Sequence, residues 1–216
     1  MKRAKFVYFT VVVLFSFVIF GCISVGSSPT PRFYMLSSVD SGKINKKFDL
    51  PANLNVMIGP VLIPGYQDRP QIVTKSKTGM LNFAQFDRWG EPLDSGLGRL
   101  IMDSLLIMLP ATNFQVFPCN FAIPLDYQVI VDVAQLDNEL DRDMFLAVQW
   151  TIIDSKTDRM LLTKRSELRQ VINPHNYFGL AQALSMSVTS LSSEIAENLA
   201  NLASQPKTKV KASADK

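Results

Sequence analysis

Two stretches of helical periodicity, separated by runs of alternating apolar and polar residues, constrain the fold of this chain. One stretch lies between Pro92, which can open a helix, and Pro110, which stops it. The other starts near Asn173-Pro174 and predicts a long amphipathic helix. Its apolar positions recur every three or four residues: Leu180, Leu184, Val188, Leu191, Ile195, Leu199 and Leu202. We expect this helix to pack on the chain's own sheet, with an intermolecular coiled coil as the alternative.

The other patterned segments predict β-strands. A short hairpin is expected around Lys77-Thr78-Gly79, and a long hairpin across residues 154–158. The prolines of Gly59–Pro64 indicate an edge strand or a bulge. This order of elements predicts an α+β fold, with a single domain over residues 31–203. We expect a mixed or largely antiparallel sheet with two main helices packed on one face.

Residues 1–21 have the features of a bacterial lipoprotein signal. Three basic residues precede a charge-free apolar run from Phe6 to Phe20, which ends in Gly21-Cys22. Cys22 is therefore predicted to be the first mature residue and to carry acyl chains such as palmitate, with an uncleaved membrane-spanning anchor as the alternative. Residues 22–30 are expected to form a flexible tether, and residues 204–216 a disordered basic tail.

The charge balance argues against one class of partner. The chain carries 22 Lys and Arg residues against 19 Asp and Glu residues, and the three basic residues within residues 1–21 account for the whole excess. The predicted mature chain is therefore neutral. Because nucleic-acid binding requires a clustered basic face, we expect no nucleic-acid partner.

Patterns for catalysis and metal binding are missing from the sequence. There is one histidine, His175, and no GxSxG, HExxH, P-loop or GxGxxG motif. The nearest approach to a metal site is a set of alternating acids: Asp137, Glu139, Asp141 and Asp143. The positions that need Gly and Glu in an EF-hand loop hold Arg142 and Val148, so a solvated turn is expected there. We expect no enzymatic activity, cofactor or metal site, and a half-buried thiol at Cys119.

Several segments together resemble a known family. Gly59–Val73 resembles the signature of the PqiC family, also described as ABC-type transport auxiliary lipoproteins. Phe33–Leu36 resembles the opening motif of that family, and Arg88–Leu93 resembles its Trp-x-Glu-Pro helix entry. Residues 127–132 and 147–154 resemble its later strands. The resemblance covers nearly all of residues 22–203.

The resemblance implies an outer-membrane lipoprotein that faces the periplasm. Such a protein works with an inner-membrane-anchored MCE-domain protein and an integral membrane partner, in lipid movement between membranes and in envelope integrity. Ile23 after Cys22 also favours the outer membrane. A structural envelope lipoprotein that binds peptidoglycan or an outer-membrane assembly machine is the alternative function. A homo-oligomer is compatible with the sequence.

The signature also contains the candidate partner-binding residues. Pro64 and Pro70 should stiffen an exposed connection whose side chains recognise a partner: Tyr66, Asp68, Arg69 and Gln71. The alternative is a purely structural turn. Gln67 stands where the family usually has a larger apolar residue.

We predict that mass spectrometry of the N-terminal peptide, prepared from cell membranes, finds an acylated Cys22 and none of residues 1–21. The Cys22→Ser variant should lose the acylation, because the modified sulfur is absent. A mature chain that still begins at Met1 would contradict the lipoprotein interpretation and support the uncleaved anchor.

Overall fold

The computed structural model describes residues 29–37, 47–48, 54–119 and 123–204. The chain divides into two units, Met1–Thr30 and Pro31–Lys216, and every described strand and helix belongs to the second. The predicted signal, Cys22 and the tail beyond Ser204 lie outside the described residues. The described strands and helices, in chain order, are β1 (Arg32–Tyr34), β2 (Leu54–Leu62), β3 (Gln71–Lys75), β4 (Leu81–Trp89), α1 (Leu93–Met108), β5 (Thr112–Val116), β6 (Tyr127–Asn138), β7 (Asp143–Asp154), β8 (Arg159–Val171) and α2 (Tyr177–Ser204).

The strands form two sheets. The larger sheet has five strands in the order β5-β2-β6-β7-β8, in which β2 runs parallel to both β5 and β6. The smaller sheet has three strands in the order β1-β4-β3, in which β1 runs parallel to β4. The predicted hairpins are confirmed as the antiparallel pairs β3–β4 and β7–β8. The α+β class is therefore confirmed, although the sequence did not indicate that the strands divide between two sheets.

Both helices lie on one face of the larger sheet. Alternate residues of β7 point into this core and are at most 1% exposed: Met144, Leu146, Val148, Trp150 and Ile152. Gly98 of α1 packs close to Val61 and Val116, and the Ser187 hydroxyl of α2 contacts the sulfur of Met144. The Leu, Val and Ile side chains of α2 from Leu180 to Leu199 are also at most 1% exposed. The predicted packing of α2 on its own sheet is confirmed, because this apolar face is already covered.

Strand β2 passes through the Gly59-Pro60 bond without ending. The register between β2 and β6 shifts between Ile58 and Val61, so the predicted bulge is confirmed. The alternative prediction, an edge strand, is wrong, because β2 lies between β5 and β6. Pairing with β5 nevertheless stops at Ile58. Pro60, which has no N–H group to donate, therefore meets no ladder partner on that side.

Helix α2 begins at Tyr177, a few residues after the predicted start. The side-chain Oδ1 of Asn176 accepts a hydrogen bond from the backbone N–H of Gly179 at 3.0 Å. This is the geometry of an N-cap, which fixes the first turn. Within the described ranges, neither helix is both long and apolar enough to cross a bilayer.

A buried carboxylate joins β1 to β4. Asp87 is 5% exposed and accepts hydrogen bonds from Nε and Nη2 of Arg32 at 2.7 and 2.9 Å and from the Tyr34 hydroxyl at 2.8 Å. The ring of Tyr34 lies 6.3 Å from that of Tyr177 in α2. Burial, and then the hydrogen bond to Asp87, raise the pKa of Tyr34. Asp87 therefore links the first strand to β4 and, through Tyr34, to α2.

We predict that Asp87→Ala lowers the free energy of unfolding by about 2 kcal/mol, because the half-buried Tyr34 hydroxyl loses its charged acceptor. Urea unfolding monitored by the fluorescence of the buried Trp89 and Trp150 measures this change. Asp132→Ala, at an exposed carboxylate on β6, is the control and should change stability by less than about 0.5 kcal/mol. Equal effects of the two substitutions would show that Asp87 does not hold β1 in place.

Candidate functional site

The connection between β2 and β3 is a compact loop. The N–H of Gln67 donates to the carbonyl of Pro64, and the N–H of Arg69 donates to the carbonyl of Gln67, both at 2.8 Å. Pro64 and Pro70 lie at its two ends, where the fixed φ of proline restricts the backbone. The loop, defined here as Pro64–Pro70, is therefore ordered by its own hydrogen bonds and prolines.

Two side chains of this loop attach it to β6. The Tyr66 hydroxyl lies 3.3 Å from both the N and the O of Leu136, accepting from the first and donating to the second. Nε2 of Gln67 also donates to the Leu136 carbonyl, at 2.9 Å. Gln67 is 2% exposed, so its amide performs a buried structural role where an apolar residue was expected. Sequence reasoning missed Gln67, and its unusual polarity was the available signal.

The neighbouring charged residues of the loop reach the surface. Asp68 is exposed, and the guanidinium of Arg69 lies over the ring of Phe83 in β4, 4.2 Å from its centroid. Such cation–π contact fixes the guanidinium while leaving hydrogen-bonding N–H groups available. Gln71 begins β3 and pairs with Arg88 of β4. The predicted partner-binding residues therefore differ in position: Tyr66 is held against β6, whereas Asp68 and Arg69 lie beside the smaller sheet.

A groove separates the loop from the entry of α1. Its volume is about 340 Å³, and it is lined by Asp68, Arg69 and Pro70 on one side and by residues 89–93 on the other. The N–H of Trp89 donates to the carbonyl of Pro70 at 2.8 Å, and the N–H of Gly90 donates to that of Tyr34 at 2.8 Å. Two of the segments that carry the family resemblance, Gly59–Val73 and Arg88–Leu93, thus meet at this groove, and a third, Phe33–Leu36, is joined to Gly90 beside it. We call the groove and the loop together the loop-groove site.

Two N–H donors of groove-lining residues lack acceptors. Nε of Arg69 and Nε1 of Trp89 are buried, and neither has a hydrogen-bond partner within the part of the chain that the structure describes. Trp89 is only 5% exposed yet lines the groove. Buried donors are normally satisfied. Within the described residues, these two donors are therefore exceptions to that rule.

The charges of the groove are unequally neutralised. Glu91 accepts a hydrogen bond from Nε of Arg99 at 3.2 Å, and Nη2 of Arg99 also donates to the carbonyl of Leu36 at 3.0 Å. The hydrogen bond to Glu91 is the main cause of the raised pKa of Arg99. Among the described residues, Asp68 and Arg69 form no ion pair. These two residues are therefore the charges that the groove presents to a partner.

The other residues considered in the sequence lie elsewhere. Asp137, Glu139 and Asp143 form ion pairs with Lys75, Arg142 and Arg169, respectively. The hydrogen bond that Lys75 donates to Asp137 raises the pKa of Lys75. No cluster of three or more His, Cys, Asp or Glu side chains suited to a metal ion occurs in the described ranges. Because these three acidic residues pair with cationic side chains, we describe them as part of a charged turn.

Two further side chains make ordinary local contacts. Nδ1 of the exposed His175 lies 3.1 Å from the carbonyl of Leu140. Sγ of the half-buried Cys119 donates to Oε1 of Gln115 at 2.8 Å. The structure therefore brings neither side chain to the loop-groove site.

Solved structures with the same fold are known at low sequence identity. An uncharacterised protein matches with a TM-score of 0.64 and 16% identity, covering 79% of this chain and 99% of its own. Protein XCC0632 from Xanthomonas campestris, assigned to family DUF330, matches with a TM-score of 0.59 and 12% identity, covering 76% and 92%. At these identities the likeness concerns the fold alone. No curated protein matches the chain.

The family model for the ABC-type transport auxiliary lipoprotein component matches residues 34–196, which is most of the chain. The matched range contains β2–β8, α1, the loop-groove site and most of α2. It confirms the resemblance seen in the sequence motifs. The chain therefore belongs to the family of ABC-type transport auxiliary lipoprotein components.

Proposed function

We propose that this transport-associated lipoprotein is the outer-membrane subunit of a trans-envelope lipid transport system. It faces the periplasm and docks an MCE-domain protein, which an integral inner-membrane partner holds at the opposite membrane. The observation that carries the proposal is the groove between the Gly59–Val73 and Arg88–Leu93 segments, where Asp68 and Arg69 form no ion pair with the other described residues. Docking at this site supports lipid movement and envelope integrity.

The chemistry of the loop-groove site suits protein recognition. Hot spots in interfaces are enriched in Trp and Arg, and Trp89 and Arg69 line opposite sides of the groove. The loop is already ordered by Pro64, Pro70 and its contacts with Leu136, so docking would order little additional backbone. A partner segment with backbone carbonyls or carboxylates would supply acceptors for the donors around the groove.

Docking rather than catalysis is the role we assign to this site. Among the described residues, the groove lining contains no Ser, Cys or His that could serve as a nucleophile or neutral base. Its Glu91 is held by Arg99. The lipid anchor expected of the family would restrict the domain to a membrane surface, which raises its effective concentration near a membrane-spanning assembly.

We predict that the double charge reversal Asp68→Arg with Arg69→Glu lowers recovery of the MCE-domain protein at least tenfold, because the groove then presents inverted charges to the partner. The measurement is crosslinking in intact cells, purification through a C-terminal tag, and mass spectrometry of the captured proteins. The matched control, Glu139→Arg with Arg142→Glu, reverses an ion pair in the β6–β7 turn and should keep recovery unchanged.

Both double variants should keep the melting temperature of the wild type. Unchanged recovery with the loop variant would refute docking at this site. Capture of peptidoglycan or outer-membrane assembly factors without an MCE-domain protein would instead favour a structural envelope lipoprotein.

We also predict that Tyr66→Phe costs about 1 kcal/mol of stability, because Leu136 loses a hydrogen-bond donor and an acceptor. Recovery of the partner should stay within about twofold, since the loop retains the Gln67 contact. Tyr34→Phe, which removes a half-buried hydroxyl outside the loop, is the matched control for the stability measurement. Lost docking at an unchanged melting temperature would show that Tyr66 contacts the partner directly.

A further inference from the structure

The outer edge of the larger sheet is a long, regular strand. β8 lies at this edge and pairs with β7 on one side. Its register with β7 is unbroken over Leu162–Val171, and the one irregularity lies near Met160. Within the described ranges, no backbone hydrogen bond joins another strand to the opposite side of β8. Such an edge presents unpaired N–H and C=O groups to another chain.

The side chains along this edge combine exposed charges with exposed apolar ends. Arg165 and Glu167 lie on the face turned away from the helices and form an ion pair at 2.9 Å, with both side chains 54% exposed. At the two ends of the strand, Met160 is 68% exposed and Val171 is 66% exposed. Natural edge strands normally avoid exposed apolar residues unless something covers them.

We propose that a second copy of this chain pairs with β8 in an antiparallel, two-fold symmetric arrangement centred on Ser166. The two larger sheets then form one continuous sheet, with the helices of both copies on the same side. The interface is isologous, so each copy contributes the same edge. This assembly is separate from the loop-groove site and does not depend on the proposed docking partner.

Charge complementarity favours this register over the two adjacent ones. A two-fold axis perpendicular to the sheet keeps each side chain on its own face, so directly opposed residues must differ by an even number of positions. Centring on Ser166 places Arg165 of each copy opposite Glu167 of the other copy. The two existing ion pairs then close into a network of four charges. The exposed Val171 of each copy also lies opposite the Met160-Leu161 end of the other.

The adjacent registers bring like charges together. Centring on Arg165 places the two copies of that residue directly opposite each other. Centring on Glu167 opposes the two Glu167 side chains and places Arg165 opposite Arg169 of the second copy. Because like charges directly across an antiparallel pair are destabilising, these registers are disfavoured. The sequence of β8 is thus complementary to itself in the register centred on Ser166.

Cysteine crosslinking in membranes tests this register with the full lipidated chain. In a Cys119→Ser background, the double variant Thr163→Cys with Arg169→Cys places two thiol pairs directly across the interface, where opposed Cβ atoms lie about 5 Å apart. Oxidation should give a covalent dimer on a non-reducing gel. Each single variant should stay monomeric, because its two copies are about six residues, or roughly 20 Å, out of register.

A register control and a charge swap complete the test. Thr163→Cys with Val171→Cys reports the register centred on Glu167 and should crosslink at least tenfold less. The charge swap is tested without crosslinking, by measuring the mass of the assembly in detergent. The single variant Arg165→Glu should be monomeric, and adding Glu167→Arg should restore the dimer. Stronger crosslinking of the register control, a ladder of species larger than dimers, or a monomeric wild-type chain would overturn the proposal.

Discussion

Among the described strands, none pairs with β6 on the β2 side beyond Asp132, and the backbone of Leu136 takes its hydrogen bonds from Tyr66 and Gln67. Unpaired backbone groups are costly to bury, and this requirement holds the Pro64–Pro70 loop against the sheet. Asn138 extends the same attachment by donating its side-chain amide to the carbonyl of Val73 in β3, at 2.9 Å. The loop and β3 therefore fix the position of the smaller sheet relative to β6.

The groove follows from that arrangement. With β3 in place, β4 runs beside it and delivers Trp89 to the carbonyl of Pro70. The carbonyl of Tyr34 in β1 accepts from Gly90 on the other side, so the start of α1 is fixed between two segments that are distant in the chain. Arg69 and Asp68 remain at the rim because the loop uses Tyr66 and Gln67 for its attachment. Structural and recognition roles are thus divided among neighbouring residues of one short segment.

The two sides of the domain present different kinds of surface. The loop-groove site offers a defined concavity with donors and two charges, which suits a partner of a different sequence. The β8 edge offers backbone groups and a charge pattern that complements itself, which suits another copy of the same chain. A lipoprotein that uses both surfaces can assemble on a membrane while leaving its groove accessible to a transport partner.

The sequence by itself determined the local elements and the segments that matter. The spacing of apolar residues identified both helices and both hairpins, because periodicity records which side of an element is apolar. The motifs around Asp68 and Trp89 also indicated the family. Periodicity does not record which distant strand an element pairs with. Only the tertiary structure decided that the strands divide between two sheets, that Gln67 is buried against Leu136, and that Arg69 stacks on Phe83, since these contacts join segments far apart in the chain.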